Sequence, residues 1–421
     1  MTPVLVIGAG ITGASVAQFV GTKHATILEQ EAYPGGKCRT YTVESPRGAF
    51  VFDIGGHWFH CQSHEKIRDL FSDLHSHTRH AYVYLHNKYI NFPIQSHYHQ
   101  LDDNEMIQSI KQDIASREHK LIQTETPYFD MLFKRYGPAL YYLFFEPYNR
   151  KMFGSVDIEK IFTSPFEQLR NLPTGHAKGY NSSFYYTKNA RGIQHLVDEL
   201  LQGLDVQYQA KVVEIDMQAK RVILENGREY TYSVLINTMP LKTLLRCLYE
   251  DFADECAEQL QHSRGYIYNL GVVSDCWGDK NWVYFPQEDI PFYRLGSYSS
   301  VDYRMAPAGC HSLYMESTVE LTKVEIAEQL QRLGIIHDSD DLVVMDTILL
   351  KENYCFYTPV LPRIDQWLRE NGIYSIGRYG GWRWSSMHED IFEAMQVADE
   401  LNVNYGFRPV EVAGKCTVAK L

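Results

Sequence analysis

The sequence predicts an α/β protein in which a parallel βαβ unit opens the chain, a helical segment interrupts it, and an aromatic-rich antiparallel sheet follows. Three observations carry this expectation. A short apolar run, Val4 to Ile7, leads through a glycine-rich turn into residues with Ala14, Ala17 and Val20 on one helical side. Residues from about 103 to 170 read as helices, and Pro138-Ala-Leu-Tyr-Tyr-Leu-Phe-Phe145 supplies an apolar stripe best read as core. Residues 265 to 319 alternate and are rich in aromatic rings, in Tyr266-Ile-Tyr-Asn-Leu-Gly-Val-Val, Trp282-Val-Tyr284-Phe, Phe292-Tyr-Arg294-Leu and Ser312-Leu-Tyr-Met, as strands with one face on a pocket do.

The opening unit is the most informative. Val4 to Ile7 is β-branched and continuously apolar, as a strand buried on both faces is. Gly8-Ala-Gly10-Ile11-Thr12-Gly13 follows, then the helix, then a second apolar strand, Ala25-Thr-Ile-Leu28, ending in Glu29 and Gln30. In this Rossmann-type order Gly8 makes the turn, Gly10 admits a pyrophosphate to the backbone, and Gly13 lets helix and strand touch. Glu29 stands where a ribose hydroxyl is held. Strand, glycines, helix, strand and acid in that order point to a dinucleotide.

Composition excludes several classes. At 421 residues the chain needs more than one packed unit. The formal net charge of −12 argues against general nucleic-acid binding, because phosphate backbones require basic faces. Thirty tyrosines suit a pocket that stacks a base or sugar and hydrogen-bonds phosphate, with packing as the alternative. The eight cysteines are scattered without a Cys-x-x-Cys pair, so reduced thiols are expected and no zinc frame. The nine histidines from His57 to His99 form no ligand set with a thiol or carboxylate, and no metal is expected. The first strand begins at once and no apolar run reaches membrane length, so no signal peptide, no membrane span and a cytoplasmic location are expected.

Further along, Glu29-Gln-Glu31-Ala-Tyr-Pro-Gly35-Gly36-Lys37-Cys-Arg39-Thr40 resembles the segment that follows the acidic residue in amine-oxidase-like flavoproteins. That resemblance implies flavin adenine dinucleotide (FAD), with Gly36 and Lys37 on its phosphates and flavin. The later chain is similar too. Val212-Val213-Glu-Ile, Arg221-Val-Ile-Leu224 and Val234-Leu-Ile-Asn-Thr238 read as strands returning to the FAD domain. Ile373-Tyr-Ser-Ile-Gly377-Arg378 reads as another, followed by a helix from about Glu389 to Leu401 whose N-terminus faces the cofactor.

Several segments resemble UDP-galactopyranose mutases in particular. Gly55-Gly56-His57-Trp-Phe-His60 looks like their Gly-Gly/Pro-His motif against the flavin. Tyr148-Asn-Arg-Lys151-Met-Phe153 is similar to their uridine segment, and Gly179-Tyr-Asn181-Ser-Ser-Phe184 to a eukaryotic-type Gly-Pro-Asn-Ala-Thr-Phe. Tyr284 and Arg294, ten residues apart, resemble the family's Tyr/Arg pair on substrate phosphate, and Arg170 its other phosphate arginine. Gly377-Arg378-Tyr-Gly-Gly-Trp382-Arg-Trp384-Ser-Ser-Met387-His388 is similar to the bacterial-type Gly-Arg-x-x-x-Tyr-x-Tyr-x-Asp-Met-His. The matches run through nearly the whole chain in one order. The sequence departs from the family at Phe153 for a tryptophan, at Trp384 for a phosphate-binding tyrosine, and at Phe356 or Tyr357 for a second pocket tyrosine.

The resemblance implies a division into an FAD-binding Rossmann-like domain (1–85, 190–262, 340–421), a helical substrate domain (100–189) and an antiparallel substrate sheet (86–99, 263–339). It implies a mutase that interconverts pyranose and furanose forms of a nucleotide sugar, UDP-galactose foremost, with N5 of reduced FAD attacking the anomeric carbon. His57, Arg294 and Arg170 are the implied catalytic residues. Tyr148, Phe153, Asn181, Tyr284, Phe356, Tyr357, Arg378 and Trp384 are implied on the substrate. The cofactor is implied to lie against Gly8, Gly10, Ile11, Thr12, Gly13, Glu29, Gln30, Gly36, Lys37, Gly56, His57, Val213, Arg378 and Met387. A reductant such as NAD(P)H is an implied partner, and a homodimer is left open. The alternatives are a mutase of another UDP- or dTDP-hexose, an amine-oxidase-type oxidase or dehydrogenase, and a non-catalytic nucleotide-sugar-binding flavoprotein.

Overall fold

The computed structural model describes residues 2–61, 65–116, 125–164 and 182–406. Its first strand, β1 (Thr2–Ile7), lies inside a parallel sheet, hydrogen-bonded on one side to β2 (Ala25–Leu28) and on the other to Glu229–Asn237. Ile373–Ser375 extends the sheet beyond Glu229–Asn237, and Asp205–Gln207 beyond β2. Both faces of β1 are covered, which is why its sequence is apolar without alternation. Val4 and Val6 pack with Val16, Ala17 and Val20 of α1 (Ile11–Val20) and with Ala394 and Ala398 of the last helix, Met387–Tyr405. Leu5 and Ile7 pack on the opposite face with Leu235, Leu244 and Leu368. The antiparallel hairpin Val212–Asp216/Arg221–Leu224 joins the early half of Glu229–Asn237.

The second layer is a seven-stranded sheet. Its order is Leu342–Leu350, Gly265–Val273, Cys310–Ser317, Arg294–Ser297, Trp282–Tyr284, Ala81–Leu85 and Lys88–Asn91. All neighbours are antiparallel except Trp282–Tyr284 and Ala81–Leu85. Two strands cross the boundaries expected from sequence, since Ala81–Leu85 and Leu342–Leu350 both belong to this sheet. The first alternates Ala81, Val83 and Leu85 inward, but five residues are too few to assign it to a sheet from sequence. The second is a long half-exposed edge strand whose apolar run hides its alternation. The helical segment comprises Asn104–Ala115, Tyr128–Leu140, a π turn at Tyr141–Phe145, and Glu146–Phe153. Pro138 lacks the N–H a continuous helix needs, and the chain kinks at Gly137, where φ is +78°. Asp113 accepts the Ala139 N–H at 2.8 Å and holds the kink.

The layers meet at Tyr314. A Cβ on Gly56 would lie 2.3 Å from its hydroxyl oxygen, and a Cβ on Gly296 would lie 2.2 Å from Cζ of the same ring. Both glycines are therefore demanded by contact with one aromatic ring. Gly296→Ala should destabilise the protein by about 1–3 kcal/mol, the range for overpacking a filled core. Tyr314→Leu added to it should recover part of that loss. Denaturant unfolding of the single and double variants checks this, and a neutral Gly296→Ala would show that the ring has room to move.

Candidate functional site

The glycine-rich turn is shaped by contacts on three sides. Gly8 sits at φ +102°, and a side chain there would meet Thr238 Oγ1 at 2.4 Å. Thr238 in turn donates from its hydroxyl to Ile7 O at 2.7 Å and closes the end of the return strand over the turn. A Cβ on Gly13 would lie 2.0 Å from Gly8 O, so helix and turn touch backbone to backbone. Gly10 differs. The nearest protein atom to a Cβ there is Gly35 O, 3.9 Å away, and no side chain caps the first turn of α1. Open space over uncapped amides is what a pyrophosphate requires. Ile11 and Thr12 are buried behind this turn, and Thr12 Oγ1 lies under Gly377.

Glu29 is buried and fastens the turn itself: one carboxylate oxygen accepts Ala9 N–H at 2.8 Å and the other Glu31 N–H at 2.9 Å. Burial holds its pKa above the ordinary carboxylate range. Each oxygen keeps acceptor capacity for a further donor such as a ribose hydroxyl. Gln30 and Gly36 are exposed, and the Gly35-Gly36 turn packs on Gly10, with Gly35 N–H donating to Ala9 O at 3.0 Å. Lys37 Nζ donates to Glu352 O and stands 3.7 Å from the Tyr379 ring centroid; burial lowers its pKa to about 8. Val213 is half-buried at the register shift of its strand. Met387 opens the last helix, and its Sδ accepts a hydrogen bond from the Cys38 thiol at 3.6 Å.

The sequence places the N-terminus of the last helix toward the cofactor, and in the structure Ser386 precedes its first turn. Ser386 and Glu389 form a capping box over its first turn. Its acids instead serve the preceding short helix, Gly377–Gly380: Glu393 accepts Gly377 N–H at 2.7 Å and Asp390 accepts Arg378 N–H at 3.2 Å.

The ten-residue spacing of Tyr284 and Arg294 has a simple origin. They stand directly opposite on adjacent strands, and the row continues through Glu316 to Ile267. Arg294 Nη2 donates to the buried Glu316 carboxylate, while its Nε has no acceptor among the described residues. Its side chain is 21% exposed, although Nε itself is buried. Arg378 Nη1 donates to Ser385 O at 2.8 Å and its Nε is likewise buried without an acceptor. His57 lies among these cations. Burial first, then the charge of Arg378, lower its pKa to about 4; a hydrogen bond to Gly55 O opposes them, and Arg294 and Lys37 add smaller depressions. The imidazole is neutral at pH 7 and feels all three cations, while Glu316 answers Arg294, Asp390 acts on Arg378 and Glu352 on Lys37.

Around the arginines lies an aromatic wall. Tyr148 stacks on Phe144 at 5.2 Å and meets Tyr284 edge-on at 5.3 Å. Trp384 is half-buried beside Tyr128, Tyr354 and Phe356, and its Nε1 has no acceptor among the described residues. Phe153 and Phe356 are 0% and 1% exposed and pack on each other at 4.4 Å, so both rings sit in the core behind the wall. Tyr357 is half-buried, and burial raises its pKa. Arg170 and Asn181 lie outside the described residues.

Two residues of this wall were missed by the sequence reading. Tyr354 carries its ring 5.2 Å from the Arg378 guanidinium and lies in the fields of Arg294 and Arg378. It shares an alternation with Phe356, which was the available signal. Tyr314, under Arg294 at 6.0 Å, left no mark in its own segment; its signature is the pair of distant glycines.

Comparisons with known proteins bear on the fold. Residues 6–74 match the family model described as an NAD(P)-binding Rossmann-like domain. The chain is similar to a reduced UDP-galactopyranose mutase, at 21% identity over 98% of this chain and 97% of that one, with a TM-score of 0.84. It is also similar to cyclohexylamine oxidase from Brevibacterium oxydans IH-35A, at 13% identity over 96% and 99% of the two chains, TM-score 0.71. A CLA-producing fatty acid isomerase from P. acnes matches at 13% identity over 95% and 98%, TM-score 0.62. The chain thus has the UDP-galactopyranose mutase fold along nearly its whole length, a fold that isomerases and oxidases share.

A neutral buried histidine has a measurable consequence. His57 takes up a proton more readily in the unfolded chain, where its pKa is near 6.5, than in the folded one, at about 4. Its contribution to stability is therefore complete above about pH 6.5 and lost as pH falls toward 4. His57→Asn should flatten the decline in melting temperature over that window. An unchanged slope would place the acid sensitivity elsewhere.

Proposed function

We propose that this protein is an FAD-dependent mutase that interconverts the pyranose and furanose forms of a nucleotide sugar, with UDP-galactose as the leading substrate and other UDP- or dTDP-hexoses as alternatives. The observation that carries the reading is the grouping of Arg294, Arg378 and Lys37 about a buried, neutral His57, with Nε of both arginines left without an acceptor among the described residues. Such a site attracts a diphosphate and repels a protonated amine, which favours a nucleotide sugar over an amine substrate.

The residues present fit FAD. Gly10 leaves open space over uncapped amides, Glu29 retains acceptor capacity, and Arg378 holds an unanswered buried N–H. The amides at the start of α1 would receive the pyrophosphate, Glu29 a ribose hydroxyl, and the Gly55-Gly56-His57 turn and Arg378 the flavin end. When bound in reduced form, FAD supplies the nucleophile toward the anomeric carbon. Arg294 would hold the diphosphate through the guanidinium hydrogens that Glu316 does not take, kept in orientation by Glu316, and stabilise the charge that gathers there as UDP departs. Tyr284, Tyr148 and Trp384 would wall the sugar and base. The indole of Trp384 cannot accept a hydrogen bond, so that side offers the phosphates a donor only.

Three outcomes are expected. Purified protein should carry non-covalent FAD or gain it on reconstitution, and Gly10→Val should lose it because the new side chain fills the open space. Arg294→Ala should weaken UDP binding by about tenfold to a hundredfold, matching roughly 1.5–3 kcal/mol for a charge-assisted hydrogen bond, with flavin content intact. Calorimetry on the two variants reads both effects. Finally, turnover of UDP-galactopyranose should require prior reduction, by dithionite or a reduced nicotinamide, yet consume no reductant per cycle. Stoichiometric oxidation of substrate, or UDP affinity untouched in Arg294→Ala, would move the protein to the oxidase class.

A further inference from the structure

At the other end of the long strand Gly265–Val273, six residues beyond the row that holds Arg294, three side chains come together that the cofactor site does not use. Asp275 and Cys276 follow the strand, and His337 lies in the turn that enters its neighbour Leu342–Leu350. One carboxylate oxygen, the thiol sulfur and one imidazole nitrogen all lie within 4.8 Å of one another, and all three residues are exposed. The Cys276 thiol donates to Asp275 Oδ1 at 2.9 Å; His337 Nε2 is 3.9 Å from the sulfur and 3.5 Å from the same oxygen. Zinc bonds of about 2.0 Å to nitrogen and oxygen and about 2.3 Å to sulfur, at tetrahedral angles, separate ligand atoms by roughly 3.3–3.5 Å. The observed separations bracket that range.

The backbone on both sides is held in place. Ser274 accepts Cys276 N–H at 3.2 Å and donates to Ile335 O at 2.6 Å, which ties the two loops to each other. Asp341 accepts the N–H of His337 at 3.0 Å and of Asp338 at 3.0 Å, and Gln331 Nε2 donates to His337 O at 3.2 Å. The donors thus project from fastened loops rather than from free chain, so little ordering is needed to bring them onto an ion. A thiolate, an imidazole and a carboxylate suit a divalent transition metal such as zinc and not magnesium or calcium, which take oxygen ligands.

We propose that Asp275, Cys276 and His337 form a binding site for a divalent transition-metal ion, completed by water, that clamps the ends of two adjacent strands. Binding replaces the thiol proton, which passes to solvent, with the metal, and the Cys276–Asp275 hydrogen bond gives way to two metal–ligand bonds. The site is independent of the cofactor and of any reaction assigned to it.

The test uses the whole 421-residue chain with any bound flavin retained, in a Cys416→Ser background that removes a competing thiol outside the described residues. Cobalt(II) should bind at one equivalent with a sulfur-to-cobalt charge-transfer band, read as a difference against the flavin spectrum, and zinc should displace it. Cys276→Ser and His337→Ala should each remove the band or weaken zinc binding about tenfold or more, while flavin content and UDP affinity stay unchanged. Either variant suffices if the other fails to fold. Absence of the band in the parent protein, or an undiminished band and zinc affinity in the variants, overturns the proposal.

Discussion

A guanidinium taken largely out of water must have its charge answered, and that constraint organises the middle of this protein. Arg294 meets it with Glu316, directly opposite on the next strand, so the pair is set by sheet register rather than by flexible reach. The pairing is incomplete by design of the sheet: one carboxylate edge satisfies one guanidinium edge, and Nε is left over. Arg378 and Lys37 add positive charge to the same neighbourhood, offset in part by Asp390 and Glu352, and His57, buried among them, stays neutral. The tyrosines around them supply bulk without charge. Burial pushes the hydroxyls of Tyr148 and Tyr293 well above their ordinary pKa, so none of this wall offers a compensating anion.

The pair can hold its position only because the two layers are locked together nearby. Asp53 does much of this. Its carboxylate accepts from Thr40 Oγ1 at 2.6 Å, Tyr186 Oη at 2.5 Å and Ile193 N–H at 3.2 Å, joining three separate segments. Full burial raises its pKa to about 6 even with those donors opposing. The backbone oxygen of the same residue accepts from Asn269 Nδ2 of the second sheet and from Tyr298 Oη, just past the end of its strand Arg294–Ser297. Tyr298 Oη in turn accepts Gly55 N–H at 3.0 Å, so the turn carrying Gly56 and His57 is suspended between the layers. A shift of either layer would be transmitted to the histidine and, through Tyr314, to the strand that carries Arg294.

The helical segment contributes differently. It presents Tyr148 to the wall and uses Lys151, beside it in the sequence, as a structural pin: Nζ donates to Phe285 O at 2.7 Å and Gln287 O at 2.9 Å. These carbonyls belong to the loop between Tyr284 and Arg294, so the helix anchors the connection between the two strands. Burial lowers the Lys151 pKa to about 7, so the pin is sensitive to proton uptake near neutrality. The same burial makes it unsuited to meeting a solvent-exposed ligand.

Features that depend on neighbours along the chain could be read directly from the residues. The βαβ unit, its three glycines, Glu29 and the strand Ala25–Leu28 were legible because turn, helix and strand signals lie within thirty residues. The Tyr284–Arg294 spacing was legible too, since a hairpin-like return sets two side chains opposite at a fixed separation. Features that depend on register and on the approach of distant segments emerged only in the folded protein. It drew Phe153 and Phe356 into the core while leaving Trp384 at the wall, and it brought Tyr354 and Tyr314 to the arginines. It also assigned Ala81–Leu85 and Leu342–Leu350 to the second sheet, and set His337 beside Asp275 and Cys276, sixty-one residues from the cysteine in the chain. Local pattern reports the period of an element; which face meets which neighbour is settled by strand pairing across hundreds of residues, and no short stretch of sequence encodes that partner.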